Sequence, residues 1–285
     1  MMVTHDLGRG GVARWPIAHS LSPLIHGYWL SEFGIVGGYE QFAVRLGEFA
    51  EFAAGIGGGE LFGSNDTVPH KAAALVACAR RTPVAEPLGA VNTLWHEGGL
   101  LLGDYTDVEG FLTNIDESAA GWAEGAESAF VIGAGTRAVI YALTSGGFRR
   151  FAILNRTDAR PVAIAAEFGG AAVAVTWTDL ITALSDADLL VNASSLGMAG
   201  EPALKVDLAV LPKSAVVADI FCVPLGTALV ADAGARGLRA SGGLGMLLHY
   251  VVPAFARWFG RRPKIAPSLR ALVEADVLAR HEDMR

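Results

Sequence analysis

The chain has 285 residues, 52 % of them hydrophobic and 18 % charged, which excludes a disordered or solvating polymer. At about 150 residues per domain it predicts about two domains, with cores that need no covalent staples. Its 22 basic and 29 acidic residues give a net charge of −7 with no basic block, so nucleic acid is not expected as a partner.

In chain order, residues 1–15 show no apolar stretch followed by a small-residue cleavage pattern, so no secretory leader is predicted. Cys78 and Cys222 are too few for a disulfide framework and have no metal-ligand spacing, and no metal is expected. The expectation is a cytoplasmic enzyme. Ser20-Leu21-Ser22-Pro23 precedes apolar residues at helical spacing (Leu24, Ile25, Tyr28, Trp29, Phe33), closed by Gly34. Ser22 suits the N-cap and Pro23 the first helical position. Capping does not require Ser20, and two hydroxyls at a helix N-terminus also suit a carboxylate ligand.

The glycine-dense stretch 55–63 reads as a loop. Asn65-Asp66-Thr67-Val68-Pro69-His70-Lys71 predicts a second helix start, with Thr67 or Val68 near the cap and Pro69 in the first turn. Lys71 is one of four lysines against 18 arginines. In a first helical turn the dipole disfavours a cation, which predicts a lowered pKa and a better proton acceptor. A solvated surface lysine is the other reading. Asn92 in GAVNT and Asp107 in GDYTD belong to further polar clusters in apolar surroundings, which turn chemistry also explains. His5, His96 and His281 read as surface residues. Five tryptophans read as core, and Trp122 stays open.

From residue 108 the pattern changes. Short apolar runs at 129–132, 150–154, 171–175, 188–192 and 215–220 predict buried strands, with helical patterns such as 137–143 and 161–168 between them. This alternation predicts a doubly wound parallel sheet over residues 108–243. Gly133-Ala134-Gly135 lies between a strand and a helix, with Ala138 in the third small position: Gly133 for the turn, Gly135 for close approach of a pyrophosphate. Glycine is also needed in tight turns for steric reasons alone. Asn155-Arg156-Thr157 and Arg160 stand where an NAD site has its ribose carboxylate, which favours a 2′-phosphate and NADP over NAD. A surface arginine pair is the alternative. Residues 246–259 form the most apolar stretch but hold His249, Tyr250, Pro253 and Arg257. They predict a buried helix, not a membrane span. Residues 244–285 are too few to fold alone and are expected to join 1–107, leaving 108–243 as an inserted domain.

The segments IAHSLSPLIH (17–26), NDTVPHK (65–71), GAVNTL (89–94), GDYTD (103–107), GAG (133–135), NRT (155–157) with Arg160, NASSLGM (192–198) and GGLGML (242–247) make the chain resemble bacterial shikimate dehydrogenases over nearly its whole length. The resemblance implies a fold with an NADP-binding Rossmann domain inserted in a discontinuous α/β substrate domain, and reversible NADPH-dependent reduction of 3-dehydroshikimate to shikimate on the route to aromatic amino acids. It implies that Lys71 and Asp107 are the catalytic pair. Ser20 and Ser22 would hold the substrate carboxylate, Asn65, Thr67 and Asn92 the ring hydroxyls, and Tyr250 would stand in the substrate pocket. Gly133, Ala134, Gly135 and Thr136, with Arg137 beside them, would meet the pyrophosphate. Asn155, Arg156, Thr157 and Arg160 would select the 2′-phosphate. Ser195, Met198, Ile220 and Gly243 would line the nicotinamide end. The implied partners are a small ring acid and NADP, with no membrane, in a monomer or homodimer.

The chain departs from the family's usual residues at Asp66 (Val), Tyr105 (Asn), Cys222 (Tyr) and Tyr250 (Gln), and its glycine loop is about two residues shorter. Removing an amide and a phenol from the pocket alters hydrogen-bond discrimination, so a related ring acid such as quinate or aminoshikimate is the alternative substrate. From other classes come a non-catalytic NADP- or ring-acid-binding paralogue, opposed by the retained Lys71 and Asp107, and a methyltransferase-type nucleotide site, opposed by Arg156.

Overall fold

The computed structural model describes residues 8–16, 20–57, 61–133, 135–157 and 159–283. His5, Ala134, Asp158 and the His281 side chain lie outside the described residues, as do 17–19 and 58–60 of the segments above. The chain divides into two compact units: one of the residues up to Asp107 with Tyr250–Val273, the other of Val108–His249 with the residues from Glu274 onward. This differs from the expected division at 244–249 and beyond 273. The reason is visible at the start of the helix that follows Ser241. Gly243 donates its N–H to Phe221 O, and a Cβ there would stand 2.5 Å from the Ile220 backbone, so this first turn is built onto the second unit's loops.

In the first unit the elements run β1 (Arg9–Arg14), α1 (Ser22–Phe33), β2 (Gly38–Ala43), α2 (Phe49–Gly57), β3 (Leu61–Asp66), α3 (Lys71–Ala77), β4 (Arg80–Arg81), α4 (Ala85–Leu88), β5 (Thr93–Glu97) and β6 (Leu100–Asp104). Among the described residues these strands make a six-stranded sheet in the order β2-β1-β3-β5-β6-β4, in which β5 alone runs against its neighbours. Gly34 closes α1 in the left-handed region, as its place after the last apolar residue requires. A cluster of rings fills the core: the buried His26 imidazole stacks on Tyr39 at 4.0 Å, with Trp29, Phe255 and Trp258 around it. Burial lowers the His26 pKa to about 3, so it packs as a neutral ring. Trp15 is an exception to the tryptophan core, 41 % exposed beneath the Arg45 guanidinium.

The second unit contains α5 (Asp107–Ser118) beyond its first residue, then β7 (Ser128–Ile132), α6 (Thr136–Ser145), β8 (Arg150–Leu154), α7 (Ala159–Glu167), β9 (Ala172–Ala174), α8 (Leu180–Ser185), β10 (Leu189–Asn192), β11 (Val216–Asp219), α9 (Ala228–Ala235) and β12 (Arg239–Ser241). The helices α10 (Gly243–Phe259) and α11 (Pro267–Asp283) are divided between the two units. The sheet order β12-β11-β10-β7-β8-β9 is parallel throughout, the doubly wound arrangement the alternating runs predicted. Each predicted strand lies within one or two residues of the observed one. Central strands β7 and β10 are buried on both faces, which explains why they read as continuous apolar runs. Trp122, open from sequence, is buried against Phe148 and donates to Asp116, whereas Trp177 is 45 % exposed. Among the described residues no helix is long and apolar enough to cross a membrane.

Two constraints yield predictions. Gly133 ends β7 at φ +112°, and a Cβ there would lie 2.3 Å from the Ser194 backbone nitrogen. Gly133→Ala is expected to cost roughly 2–4 kcal/mol in urea unfolding, from strain plus a clash that backbone cannot relieve. Gly147→Ala, also at positive φ but in open space, should cost only the strain. Asp66 is buried in β3; its Oδ1 accepts from Ser64, and its Oδ2 has no partner among the described residues. Burial pushes its pKa up to about 7, against the opposing Ser64 hydrogen bond and Lys71 charge. Unfolded, the carboxyl ionises near 4, so between pH 4 and 7 the folded state holds the extra proton and stability falls as pH rises. Asp66→Asn should therefore stabilise the protein by about 2 kcal/mol more at pH 7 than at pH 5, read as paired denaturation curves; equal gains at both values would refute it.

Candidate active site

Of the polar residues singled out before Asp107, Ser20, Ser22, Asn65, Lys71 and Asn92 are brought together in the first unit, and Thr67 stays outside their hydrogen bonds. Lys71 opens α3, and its Nζ stands 2.5 Å from Asp107 Oδ2. The other carboxylate oxygen, Oδ1, accepts from Asn92 Nδ2 at 2.7 Å. Asn92 is itself held: its Oδ1 accepts from the Thr106 N–H at 2.8 Å and from the Thr93 and Thr106 hydroxyls at 3.2 Å. Thr93 Oγ1 in turn accepts from Asn65 Nδ2 at 3.1 Å, and Asn65 Oδ1 accepts from Tyr39 Oη at 2.7 Å. Tyr39 also meets the Ser22 hydroxyl, which lies 3.3 Å from Tyr250 Oη. Ser20 Oγ accepts the Ser22 N–H at 3.3 Å. Thr67 follows β3, half-buried, with its N–H on Ala13 O.

Three local expectations are corrected. Ser22 does not cap α1: it is the first helical residue, Leu21 precedes it, and the Ser22 hydroxyl faces Tyr250 instead. The helix α3 begins at Lys71 itself, after Pro69, so neither Thr67 nor Val68 caps it. The Lys71 pKa is raised, not lowered. Burial does disfavour the ammonium, but the Asp107 carboxylate and the Tyr105 hydroxyl outweigh it. An ion pair at 2.5 Å exceeds the fraction of a kcal/mol that a short exposed helix dipole supplies.

In the second unit the candidates gather at the C-terminal ends of adjacent parallel strands. The glycine turn follows β7, Asn155-Arg156-Thr157 and Arg160 follow β8, Ser195 and Met198 follow β10, Ile220 follows β11 and Gly243 follows β12. Strand order reverses between β7 and β10, so this edge is the topological switch point where open α/β sheets bind ligands. Gly135 precedes α6, with its N–H on Ala193 O, and Thr136 Oγ1 donates to Gly133 O. Arg156, Thr157 and Arg160 are exposed, and Asn155 Oδ1 accepts the Arg156 N–H at 2.7 Å. Arg137 does not stand free at the turn: its Nε donates to Glu167 at 2.7 Å, tying α6 to α7. Cys222 is half-buried, its thiol pushed up to about 11 by burial.

Several structuring residues escaped the sequence reading. Asp219 is buried at the end of β11 and accepts from Asn192 Nδ2, Thr227 Oγ1 and the Phe221 N–H. Asn192 holds the following loop through Leu196 O and the Ser194 hydroxyl. In the first unit Tyr39 carries the network from an ordinary strand position that nothing in the sequence marks, whereas Thr93 and Thr106 lie within GAVNT and GDYTD but were given no role. Tyr105 was visible only as an unusual residue two places before Asp107.

Comparison with known proteins identifies the family. Residues 12–94 match the shikimate dehydrogenase substrate binding domain, and residues 119–210 match the shikimate / quinate 5-dehydrogenase family. The shikimate dehydrogenase (NADP(+)) of Methylocella silvestris is 53 % identical over 94 % of this chain and 96 % of its own. That of Rhodopseudomonas palustris strain BisB18 is 48 % identical over 92 % and 95 %. The crystal structure of shikimate 5-dehydrogenase from Thermus thermophilus in complex with NADP(H) and shikimate superposes with a TM-score of 0.83 at 33 % identity, covering 95 % of this chain and 99 % of that one. With identity of this order spread along nearly the full length, the chain belongs to the shikimate dehydrogenase family.

Proposed function

We propose that the protein reduces 3-dehydroshikimate to shikimate reversibly with NADPH, a step in aromatic amino-acid biosynthesis. The observation that carries this reading is the Lys71–Asp107 pair, fixed from behind by Asn92 and continuous with the Asn65 and Ser22 hydrogen bonds. Ser20 and Ser22, with Tyr250 beside them, suit the ring carboxylate, and Asn65, Thr67 and Asn92 suit the ring hydroxyls.

The second unit fits NADP. The first N–H groups of a helix have no intrahelical acceptor, and those of α6 open at the switch point beside a turn where a Cβ on Gly133 would strike backbone. Gly133, Ala134, Gly135 and Thr136 would meet the pyrophosphate. Asn155, Arg156, Thr157 and Arg160 would take the 2′-phosphate, and Ser195, Met198, Ile220 and Gly243 the nicotinamide end. NADPH supplies the hydride when bound.

The chain's own chemistry is proton transfer. Lys71, held charged by Asp107, donates a proton to the carbonyl oxygen as it gains alkoxide character, and reclaims it in the oxidation of shikimate. Asp107 orients Lys71 and accepts from the neighbouring ring hydroxyl. Both cysteines are free thiols, which suits a reducing compartment, and we place the enzyme in the cytoplasm as a monomer or homodimer.

Absorbance at 340 nm with shikimate and NADP+ tests the reading. Lys71→Ala should lower kcat by about 10²–10⁴-fold, the range for a positioned general acid–base, while shikimate binding by calorimetry persists. No turnover by the unaltered protein would sink the assignment. Arg156→Ala should raise the KM for NADP+ by about 10-fold or more and leave that for NAD+ within twofold, since a charge-assisted contact to the 2′-phosphate is lost. Equal effects on both dinucleotides would remove Arg156 from that role.

A further inference from the structure

Tyr105 stands immediately after β6, 9 % exposed. Its backbone is fixed: the N–H donates to Asp104 Oδ1 at 2.8 Å, and the same carboxylate is held by Thr82 Oγ1 and by Arg257 Nη2. The side chain therefore has a set origin, and it reaches Lys71 in two ways. Its Oη accepts from Nζ at 3.3 Å, and Nζ lies 4.8 Å from its ring centroid. Burial, with the Asp107 charge, pushes the phenol up to about 12 against the opposing Lys71 charge. Tyr105 is thus a neutral phenol near pH 7.

A lysine ammonium has three N–H donors. Asp107 Oδ2 takes one and Tyr105 Oη takes a second, leaving a single donor direction for a third oxygen. We propose that Tyr105 is a positioning residue for Lys71: with Asp107 it fixes the rotation of the ammonium, so that one N–H is aimed at the reacting oxygen. This rests on the role assigned to Lys71 above and deepens it. An added acceptor and a ring face both favour the ammonium over the free amine. Tyr105 accordingly biases Lys71 towards proton donation, the direction of carbonyl reduction, and makes shikimate oxidation need a higher pH.

The test is Tyr105→Phe, which keeps the ring and removes the hydroxyl, with Tyr105→Asn as a second variant and thermal melts to confirm folding. Two readouts are needed. With lysine labelled at ¹³Cε, four signals are expected, and Lys71→Ala identifies the relevant one. In Tyr105→Phe the Lys71 signal should begin to titrate about one pH unit lower than in the unaltered protein, the equivalent of a tenfold change in proton affinity. In steady-state kinetics kcat should fall about tenfold in both directions with the KM for shikimate within twofold, and the acid limb of shikimate oxidation should move down by a similar amount. Tyr105→Asn should shift the Lys71 titration in the same direction. An unmoved Lys71 titration in Tyr105→Phe overturns the proposal whatever the activity. A rise in KM with kcat and pH profile unchanged also overturns it, because Tyr105 would then be a contact for the ring. Should the unaltered protein not turn over shikimate while the titration shift is present, the dehydrogenase reading fails and the Tyr105–Lys71 coupling stands.

Discussion

The Asn92 side chain binds two parts of the first unit that the sequence keeps 15 residues apart. Its carbonyl oxygen receives the Thr106 N–H and two threonine hydroxyls, and its amide donates to Asp107. A primary amide has donor and acceptor in one rigid plane, so satisfying one side fixes the other. The strands on either side make the arrangement possible: Thr93 pairs with Asp104 across the β5–β6 hairpin, which puts Asn92 opposite the turn that leads into α5. Asp107 then opens that helix, where the dipole stabilises a carboxylate, and both its oxygens are engaged. The position of Lys71 follows from Asp107. The cationic end of the site is therefore set by neutral groups packed in the sheet.

The second unit solves a related problem with a buried acid. Loops at the ends of parallel strands have backbone groups that no ladder satisfies. Asp219 and Asn192, on neighbouring strands, satisfy some of these groups. The Asn192 amide joins the two strands' ends, and each residue holds the first groups of the loop after it. Gly133 and Gly243 act with them by close approach as well as by backbone hydrogen bonds. Each lies where another backbone passes too close for a Cβ. The loops that would contact a dinucleotide are in this way tied to the sheet, although the arginines on them remain exposed.

Strands buried on both faces leave continuous apolar runs, so β7, β8, β9, β10 and β11 were legible from the sequence almost to the residue, while the short edge strand β12 was missed. The first sheet was not. One of its strands is antiparallel to its neighbours, and Gly10, Gly11 and Gly63 replace apolar residues where rings or neighbouring backbone crowd in. The exposed Trp15 and Trp177 and the buried Trp122 show the same limit, since a tryptophan in an apolar pattern fits both a core and the half-covered edge of a unit. Site residues were legible as motifs, but their partners were not. Asn65, Asn92 and Asp107 stand in recognisable segments. Thr93 and Thr106 stand in the same segments and Tyr39 in none, and the way all three orient the site residues depends on tertiary register.

Lys71 shows how a correct local principle can give the wrong sign. Seen along the chain, a lysine in the first turn of a helix meets an unfavourable dipole, and its proton should be held loosely. That dipole effect is worth a fraction of a kcal/mol to about 1 kcal/mol and fades within a turn, and α3 has only seven residues. Against it stand a carboxylate at 2.5 Å, a phenol oxygen at 3.3 Å and the face of the same ring. Charge-assisted hydrogen bonds contribute about 1.5–3 kcal/mol each, so the partners win and the ammonium is stabilised. The distinction has a chemical consequence. A loosely protonated lysine would be a ready base, suited to oxidising an alcohol. A firmly protonated one is a donor, suited to receiving the negative charge that develops when a carbonyl is reduced. The geometry around Lys71 is that of the donor.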